Sequence, residues 1–530
     1  MMKRDISTLT RQCFDTVIIG GGIHGAVIAF ELALAGYKTL IIDQNDFSSA
    51  TSANSLKIIH GGIRYLQEFD IQRMRESIYS RRYFLDNAPH LVKTLRCIMP
   101  VQKESKIKPF MYRMALILND LISWDRNRGL TDDNTIPRCR FLSISETTNL
   151  LPEVDAGNFS GAISWHDAIA YDSERLVLYF IEKAVSYGAI AANYIKAQKI
   201  NTDQNRVCGI TAKCQFSDNI FDVPAKMVIN CTGPWLHEIT RPYPSDWGLK
   251  PEYALALNLV VEPFLSDSFA VGIEGEGGYR KEGSLMKKEK RLFFFVPWHG
   301  KTMIGTYYRK YHGSANDFSI GHDDINTFVG DIHDVYPSAN ISAEKICFYH
   351  AGLVPIRPMG DESNSSFTLK KHTEIIGHDK KGGPRGLISV DSTKYTTAAI
   401  TAKNLLKHLE NKNEHITGSG LRVVPAESRY ANPDKAEDLL NHLPLTTDEI
   451  QRFVHKEMAF TLSDIIFRRT NLGALENLSD DVLKTLAQRM GKILGWNETK
   501  IVHEIEAVKQ YFLPLKELRE NHDDPGKKHG

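Results

Sequence analysis

The sequence predicts an α/β protein of several domains, with a parallel-sheet domain at its start and α-helices at its end. A chain of 530 residues is too long for one compact core, because single cores stop growing at roughly 250–300 residues. Near the start, two short β-branched runs enclose a glycine turn and a helical segment. From about 255 to 308 the pattern is rich in strands, and beyond Pro433 it is helical and polar. These stretches predict three structural parts.

Composition and charge describe an ordinary soluble protein. Hydrophobic residues make up 42% and charged residues 24% of the chain, and the formal net charge is +1. We therefore expect no nucleic-acid partner, since no overall field attracts phosphate. The seven cysteines are scattered and form no Cys-x-x-Cys pair, which argues against a disulfide framework and against a metal site. This cysteine usage indicates a cytoplasmic location, and no stretch predicts a membrane-spanning helix.

The first part of the chain alternates strand, turn, helix and strand, which is typical of a parallel sheet. Two β-branched runs, 14–19 and 37–42, predict buried strands, and the segment 26–35 between them has helical composition. The turn has a Gly-x-Gly-x-x-Gly pattern made by Gly20, Gly22 and Gly25. Such glycines let the backbone approach a pyrophosphate, and the helix N-terminus offers it free N–H groups. The unit therefore predicts a dinucleotide site.

The residue that ends the second strand identifies the ribose end of that site. Asp43 follows Gly25 by eighteen residues, where a carboxylate can accept hydrogen bonds from a ribose diol. The same carboxylate would repel a 2′-phosphate, which disfavours NADP. A small, hydroxyl-rich segment at 50–57 follows the second strand, and Thr232-Gly233 ends a later one. These features favour FAD over NAD, and we expect FAD to be bound without a covalent link.

The predicted architecture is therefore an FAD-binding Rossmann-like domain of the glutathione-reductase type, an antiparallel-sheet substrate or cap domain and an α-helical C-terminal domain. Strand-like runs at 255–261, 292–296 and 303–306 predict the antiparallel sheet. The FAD-binding domain is expected to be discontinuous, at 14–105, 150–245 and 345–410. The substrate domain is expected at 106–149 and 246–344, and the helical domain at 411–530.

Further motifs resemble, in colinear order over residues 14–470, those of FAD-dependent glycerol-3-phosphate dehydrogenases, within the D-amino-acid-oxidase-like superfamily. The most specific is His60-Gly-Gly-Ile-Arg-Tyr65. The others are Ala50-Thr-Ser, Asn87-Ala-Pro-His-Leu91, 172–176, 230–235, 295–298, 304–306, 352–363, 394–397 and 462–470. The resemblance implies oxidation of sn-glycerol 3-phosphate at C2 to dihydroxyacetone phosphate, with a hydride passing to flavin N5. Electrons would then pass to a quinone or to oxygen, and a homodimer is left open.

The resemblance also implies a substrate pocket. It places Arg64, Arg357 and Lys394 there, and guanidinium groups bind phosphate bidentately. Tyr65 would add a hydroxyl group, and Asn258 stands where family dehydrogenases carry a histidine. Lys394 could instead lie beside flavin N1 and O2.

The residues expected to hold FAD come from the glycine turn, the end of the second strand, the hydroxyl-rich segment and two later loops. They are Gly20, Gly22, Ile23, His24, Gly25, Asp43, Gln44, Thr51, Ser52, Ser55, Lys57, Gly61, Gly62, Thr232, Gly233, Trp235, Lys394, Tyr395 and Thr396.

Three departures from the family pattern put the exact substrate in doubt. Asn258 cannot act as a base at neutral pH, although it can orient a hydroxyl. Ser392-Thr393 replaces a glycine pair before the lysine, and Tyr307-Tyr308 replaces Thr-Asp. We therefore keep two alternatives: an enzyme of the same fold acting on another hydroxyl or amine substrate, and a non-catalytic protein that binds a flavin or a phosphometabolite.

Three histidines are candidates either for the catalytic base or for a structural role near the flavin. His350 and His166 are candidate bases, although a structural role is favoured for each. His60 is expected to position backbone against the flavin.

A basic, apolar segment at 103–128 leaves the localisation partly open. A helix formed there could lie in an anionic membrane surface, although packing of its apolar stripe on the core is the favoured alternative. We expect a cytoplasmic protein, with peripheral contact at the inner membrane face left open. The stripe comprises Phe110, Met111, Met114, Leu116, Ile117, Leu118, Leu121 and Trp124.

Overall fold

The computed structural model describes residues 4–103, 109–152, 156–242, 252–264, 267–276, 290–358, 367–411, 445–475 and 478–523. The strands in these ranges are β1 Phe14–Ile19, β2 Thr39–Ile42, β3 Ile58–Ile59, β4 Val92–Gln102, β5 Arg140–Leu142, β6 Phe159–Ala170, β7 Ile190–Ala192, β8 Ile195–Asp203, β9 Arg206–Cys214, β10 Ile220–Asn230, β11 Glu252–Val261, β12 Ala270–Glu276, β13 Lys290–Trp298, β14 Lys301–Tyr311, β15 Ile346–Pro358, β16 Phe367–Leu369, β17 Glu374–Gly377 and β18 Leu387–Asp391.

The α-helices in the same ranges are α1 Ile6–Thr10, α2 Ile23–Leu34, α3 Ile71–Asn87, α4 Pro109–Ile122, α5 Ile144–Leu150, α6 Ser173–Ser186, α7 Leu236–Thr240, α8 His322–Val335, α9 Ala398–Asn411, α10 Thr447–Glu457, α11 Leu462–Asp464, α12 Leu472–Leu475, α13 Asp480–Leu494, α14 Glu498–Gln510 and α15 Leu513–Asp523. In the described ranges, no helix is both long enough and apolar enough to cross a membrane.

The first sheet is built around β1, as the βαβ pattern predicts. Its strands lie in the order β17-β18-β10-β1-β2-β7, and the pairs from β18 to β7 are parallel. β1 and β2 are almost wholly buried because helices cover the sheet, and such strands carry near-continuous apolar runs. Helices α2, α6 and α9 pack together in the largest apolar cluster. The prediction of a parallel-sheet domain is confirmed.

The second sheet is mainly antiparallel, as the strand-rich stretch predicts. Its order is β16-β15-β11-β14-β13-β12-β4-β6-β3, with β5 paired to β6. The segments assigned to the FAD-binding domain contribute β3, β4, β6, β15 and β16 to this sheet. Long-range pairing of that kind leaves no local signal in the sequence. The division into domains at the stated residue boundaries stays a prediction.

The C-terminal part is helical from Thr447 to Asp523 within the described residues, and its helices share one apolar core. A π-helix, Ile465–Arg469, follows α11. Residues 412–444, 476–477 and 524–530 of the predicted helical domain lie outside the described residues.

The stripe of helix α4 does not pack on the core, so that expectation is wrong. Among its members only Leu116 is buried, at 6% exposure, whereas Leu121 is 66% and Trp124 74% exposed. The segment forms a helix, as its composition predicts, but α4 packs beside β5 and β6 and exposes most of its apolar residues.

Candidate active site

A cavity of about 600 Å³ borders both sheets. On one side lie the carboxyl ends of β1, β2 and β10, where ligands of open α/β sheets bind. On the other side lie residues of β11, β14 and β15. Its volume falls in the range of about 300–1,000 Å³ that is usual for ligand and cofactor pockets.

The glycine turn forms one end of the cavity and needs its glycines. Gly20 has φ +107°, and a Cβ atom there would lie 2.5 Å from the carbonyl oxygen of Cys231. A Cβ atom on Gly25 would lie 1.9 Å from the carbonyl oxygen of Gly20, so Gly25 permits the close approach of α2 to the turn. Gly22 is the N-cap of α2, and the N-terminal N–H groups of such a helix can bind a pyrophosphate.

Asp43 lies in the cavity wall just after β2. Its carboxylate accepts hydrogen bonds from the backbone N–H groups of Gly21, at 2.7 Å, and Asn45, at 2.9 Å. Burial raises the pKa of Asp43 from 3.8 to about 6, against the opposing effect of those two N–H groups. Asp43 thus borders the cavity with acceptor capacity beyond these two hydrogen bonds, and its contact with a ribose diol stays a prediction.

The hydroxyl-rich segment lines the middle of the cavity. The Ser52 hydroxyl accepts a hydrogen bond from the backbone N–H of Ile23 at 3.0 Å, and the Thr51 hydroxyl donates one to the carbonyl of Leu353 at 3.1 Å. Ser55 also borders the cavity. A helix N-terminus, several hydroxyl groups and a carboxylate are the donors and acceptors that a dinucleotide needs, so these residues fit FAD.

Most of the predicted cofactor residues border this cavity. Those that do so are Gly20, Gly22, Ile23, His24, Asp43, Gln44, Thr51, Ser52, Ser55, Thr232, Gly233, Trp235, Lys394, Tyr395 and Thr396.

Four predicted residues lie outside the cavity lining: Gly25, Lys57, Gly61 and Gly62. Lys57 is buried, and its ammonium donates to Ala53 O at 2.8 Å and pairs with Glu174 at 2.7 Å. Lys57 therefore holds the hydroxyl-rich segment in place through the carbonyl of Ala53. The backbone N–H of Gly61 donates to Asp167 at 2.5 Å, so Gly61 also has a partner away from the cavity.

Lys394 stands between this cavity and a second pocket of about 320 Å³, which Tyr65 also borders. The Lys394 ammonium lies 4.5 Å from the centre of the Tyr65 ring and donates a hydrogen bond to its hydroxyl. Burial, followed by the nearby charge of Arg73, lowers the pKa of Lys394 from 10.5 to about 7. Near neutral pH the amine can therefore take up or release a proton.

Asn258 borders the cavity from β11 and is almost fully buried. Its Oδ1 atom accepts a hydrogen bond from Thr306 at 2.8 Å, and its Nδ2 group donates to the carbonyl of Asn54 at 3.3 Å. These two contacts fix the amide on the side of the cavity opposite the glycine turn. Tyr308 joins the same wall, whereas Tyr307 packs on Phe328 in the core of the second sheet. Only one of the two tyrosines therefore shapes the cavity.

The two predicted phosphate ligands lie away from the cavity lining. Arg64 is exposed, and the side chain of Arg357 is 64% exposed and lies 3.4 Å from Glu374. Their roles stay predictions.

The candidate bases differ in their positions. His350 and His166 do not border the cavity. Burial lowers the pKa of His350 well below its usual value, and it lowers that of His166 to about 4. His60 and His24 do border the cavity. Burial is the main cause that lowers the pKa of His60 to about 3 and that of His24 to about 4. These neutral imidazoles are weak bases at neutral pH.

The sequence reasoning missed a buried ion pair in the cavity wall. Lys370 is mostly buried, and its ammonium lies 2.5 Å from Asp391. Asp391 is the last residue of β18, and Asp43 directly follows β2. An acid at the carboxyl end of a buried strand is therefore the sequence signal that could have predicted Asp391 as a site residue. Lys196 and Tyr253, which also border the cavity, carry no comparable local signal.

The glycine turn, the ribose-side carboxylate and the cavity between two sheets define a flavin-dependent oxidoreductase. The chain belongs to the FAD dependent oxidoreductase family, whose model matches residues 15–406. Residues 405–501 match the C-terminal domain of alpha-glycerophosphate oxidase. FAD as cofactor is thereby confirmed, while the absence of a covalent link stays a prediction.

Individual relatives match most of the chain. It is 26% identical to the glycerol-3-phosphate dehydrogenase of Synechocystis sp., over 96% of this chain and 98% of the relative. It is 30% identical to the alpha-glycerophosphate oxidase of Lactococcus lactis, over 82% of this chain and 68% of the relative. The glycerol-3-phosphate dehydrogenase of Bacillus halodurans, solved in complex with FAD, has the same fold, with a TM-score of 0.69, 21% identity and 96% coverage of both chains.

Proposed function

We propose that this chain oxidises sn-glycerol 3-phosphate at C2 to dihydroxyacetone phosphate. The observation that carries the proposal is the position of Lys394, a buried amine with a pKa of about 7 that borders the FAD cavity. Alcohol oxidation releases one hydride and one proton, and a general base works best when its pKa lies near the working pH. FAD, when bound, supplies the acceptor for the hydride. The names of the relatives supply the substrate class.

Lys394 is proposed as the group that takes the proton of the C2 hydroxyl. In its neutral form the amine has a free lone pair, and burial favours that form. The hydroxyl of Tyr65, already in contact with this amine, would orient it. Asn258, fixed by Thr306 and Asn54, is proposed to orient the substrate from the opposite wall.

Arg64 and Arg357 are proposed to bind the phosphate. Both are exposed, and their long side chains would have to turn towards a bound dianion, Arg357 by leaving its partner Glu374. A guanidinium group donates two parallel hydrogen bonds to phosphate oxygens, which fixes the substrate's orientation as well as its charge.

The electron acceptor is proposed to be a quinone or oxygen, and the location to be the cytoplasmic side of a membrane. Helix α4 supports membrane contact because seven large apolar residues of its segment are exposed. Exposed cations flank them, at Lys103, Arg113 and Arg128. Apolar faces bordered by basic residues bind anionic membrane surfaces. Helix α4 also lies beside the short helix Ile63–Glu68, which carries Arg64 and Tyr65. A homodimer stays a prediction.

A second candidate keeps the cofactor and changes the substrate to another hydroxyl or amine compound. It is favoured by one observation: the wall opposite the glycine turn holds Asn258 and Tyr308, where the family pattern has histidine and a smaller side chain. Reduction of the bound flavin by sn-glycerol 3-phosphate without oxygen tests the two candidates against each other. If other substrates bleach the flavin and this one does not, the second candidate is correct. If none bleaches it, the chain binds flavin without turnover.

A further inference from the structure

A buried cluster of charges joins the cofactor loop to the C-terminal helices. Asp46, three residues after Asp43, is fully buried. One carboxylate oxygen accepts from Arg468 Nε at 2.7 Å and from Arg469 Nη1 at 2.5 Å. The other accepts from Arg469 Nη2 at 3.0 Å and from the Asn193 amide at 2.8 Å. All four hydrogen bonds are buried, and in each the acceptor is the ionised Asp46 carboxylate. Such charge-assisted bonds fix the relative positions of their donor and acceptor groups.

The two arginines belong to the π-helix that follows α11, and their charges are balanced. Arg468 also pairs with Asp464. Arg469 donates to the carbonyl of Glu457 at 2.6 Å, and the Glu457 carboxylate pairs with Arg175 of α6. Burial opposes ionisation of Asp46, but the charges of Arg469 and Arg468 outweigh it and lower the pKa of Asp46. The cluster therefore stays ionised.

The same loop is also attached to the start of β8 through the two residues Asp43 and Asn45, which precede Asp46. The backbone N–H of Ile195 donates to the carbonyl of Asp43 at 2.7 Å, and that of Tyr194 donates to Asn45 at 3.0 Å. The Tyr194 hydroxyl in turn donates to Asp464 at 2.7 Å. The backbone of the ribose-binding residue is thus linked, through a few hydrogen bonds, to the C-terminal helices.

The residue after Asp46 supports the glycine turn. Phe47 is fully buried, and a Cβ atom on Gly21 would lie 2.2 Å from a carbon of its ring. The backbone N–H of Ser48 donates to the carbonyl of Gly21 at 3.0 Å. A shift of Asp46 would therefore move Phe47 and the turn that faces the pyrophosphate.

The charge of Arg468 also reaches the ribose-binding carboxylate. It favours the ionised form of Asp43, against burial and against the charge of Asp46. An ionised carboxylate accepts hydrogen bonds from both hydroxyls of a ribose, whereas a protonated one must donate its own proton.

We propose that the C-terminal helical domain is a positioning element of the FAD site, acting through the contact of Asp46 with Arg468 and Arg469. FAD binding and docking of that domain then stabilise each other, because coupling between two sites is reciprocal. The helical domain has other contacts with the rest of the chain, such as the stacking of Phe467 on Phe348 at 5.7 Å. Loss of the cluster therefore weakens FAD binding without detaching the domain. The inference does not depend on which substrate is oxidised.

The test compares Arg469→Met with Glu504→Gln in the purified holoenzyme. Glu504 is a matched control because it is buried, lies in the same helical domain and accepts from the backbone N–H of Leu462 at 2.8 Å, without touching Asp46. FAD release is followed by the rise in flavin fluorescence on dilution, and unfolding by thermal scans. Arg469→Met is expected to raise the FAD dissociation constant about 5–150-fold, the usual range of coupling between sites. Glu504→Gln is expected to lower thermal stability and leave that constant nearly unchanged.

The reciprocal effect supplies a second readout. FAD is expected to slow cleavage of the C-terminal domain by chymotrypsin in the wild type and in Glu504→Gln, but not in Arg469→Met. If both variants lose FAD in proportion to their loss of thermal stability, the cluster is only structural and the inference is overturned.

A milder variant covers the case in which Arg469→Met does not fold. Tyr194→Phe removes the phenol's hydrogen bond to Asp464, the partner of Arg468, together with its contact with the Thr461 hydroxyl. A weaker FAD affinity at unchanged thermal stability supports the inference, and wild-type FAD affinity overturns it.

Discussion

Lys394 and Tyr65 lie 329 positions apart in the chain, yet the ammonium of Lys394 donates a hydrogen bond to the Tyr65 hydroxyl. The contact joins the loop after β18 to the short helix Ile63–Glu68 at the wall of the FAD cavity. It occurs where burial has already lowered the pKa of the amine to about 7. The contact with Tyr65 therefore fixes the position of the proposed base, while burial and the charge of Arg73 lower its pKa.

Substituting this amine is expected to slow flavin reduction without releasing the flavin. Lys394→Met should lower the rate of reduction by sn-glycerol 3-phosphate about 10²–10⁴-fold, the usual contribution of a general base. Stopped-flow absorbance of the holoenzyme measures it. Lys403→Met is the matched control, because the Lys403 ammonium also lies over a tyrosine ring, that of Tyr79, at 4.3 Å, outside the cavity lining. Equal rates in the two variants would remove Lys394 from the mechanism.

The pH dependence of the same reaction follows from the sign of the shift. The base must be neutral, and the folded chain lowers the pKa of Lys394 to about 7. The apparent kcat/KM should rise as pH rises through about 7 and then level off. A bound phosphate dianion favours the ammonium form, so the midpoint of the kcat profile should lie at higher pH. A profile that falls over this range contradicts the assignment.

Asp43 is expected to control FAD affinity. Asp43→Asn removes charge-assisted hydrogen bonds to the ribose, each worth about 1.5–3 kcal/mol, so the dissociation constant should rise about 10–100-fold for one such bond. The folded pKa of Asp43 is raised to about 6, so wild-type affinity should fall as pH drops through about 6. Asp15→Asn, at the opposite end of the neighbouring strand β1 and paired with Lys226, should leave affinity unchanged. Fluorescence titration with FAD checks both variants.

Two glycine substitutions should act in opposite directions. Gly25→Ala places a methyl group 1.9 Å from the carbonyl oxygen of Gly20, so it should lower both the thermal midpoint and the flavin content of the purified protein. Gly330 lies on helix α8, and a Cβ atom there meets no atom within 4 Å. Gly330→Ala should therefore stabilise the protein by about 0.4–1 kcal/mol through the unfolded chain. Thermal scans of both variants measure these changes in stability. A higher thermal midpoint for Gly25→Ala would contradict the close contact that the structure shows.

Helix α4 is expected to hold the protein on anionic membranes. Leu121→Glu places a charge within the exposed stripe and should lower the fraction that sediments with vesicles of anionic phospholipid. Val502→Glu is the control, since Val502 is 63% exposed on α14, outside α4. Added salt should weaken wild-type binding, because exposed charges are screened. Equal binding by the two variants would show that α4 is not the contact.

The fold around the expected cofactor site could be predicted because its signals are local. Strand, turn, helix and acid follow one another within residues 14–43, and each has its own sequence pattern. The fold of β1, α2 and β2 is therefore encoded by neighbours in the chain. The same reasoning also placed Lys57 among the FAD-binding residues. Its position next to a motif, however, does not determine which way its side chain points. Its ammonium is held by Ala53, Ser173 and Glu174 instead.

The substrate end depends on contacts between distant residues, which leave weaker signals. Side chains alternate across a strand, so Tyr307 and Tyr308 had to face opposite sides, yet the sequence could not tell which of them enters the cavity. The Asp46 cluster joins residues 422 and 423 positions apart, and no local pattern marks it. The exposure of α4 depended on where the helix docks, which amphipathicity alone does not fix.

The most direct test of the proposed function is an anaerobic titration of the purified holoenzyme with sn-glycerol 3-phosphate, followed by the visible absorption of its flavin. We expect the absorption band to bleach fully, with dihydroxyacetone phosphate formed in an amount equal to the flavin reduced. A band that persists at saturating sn-glycerol 3-phosphate, in protein whose flavin dithionite still reduces, would contradict the assignment of this substrate.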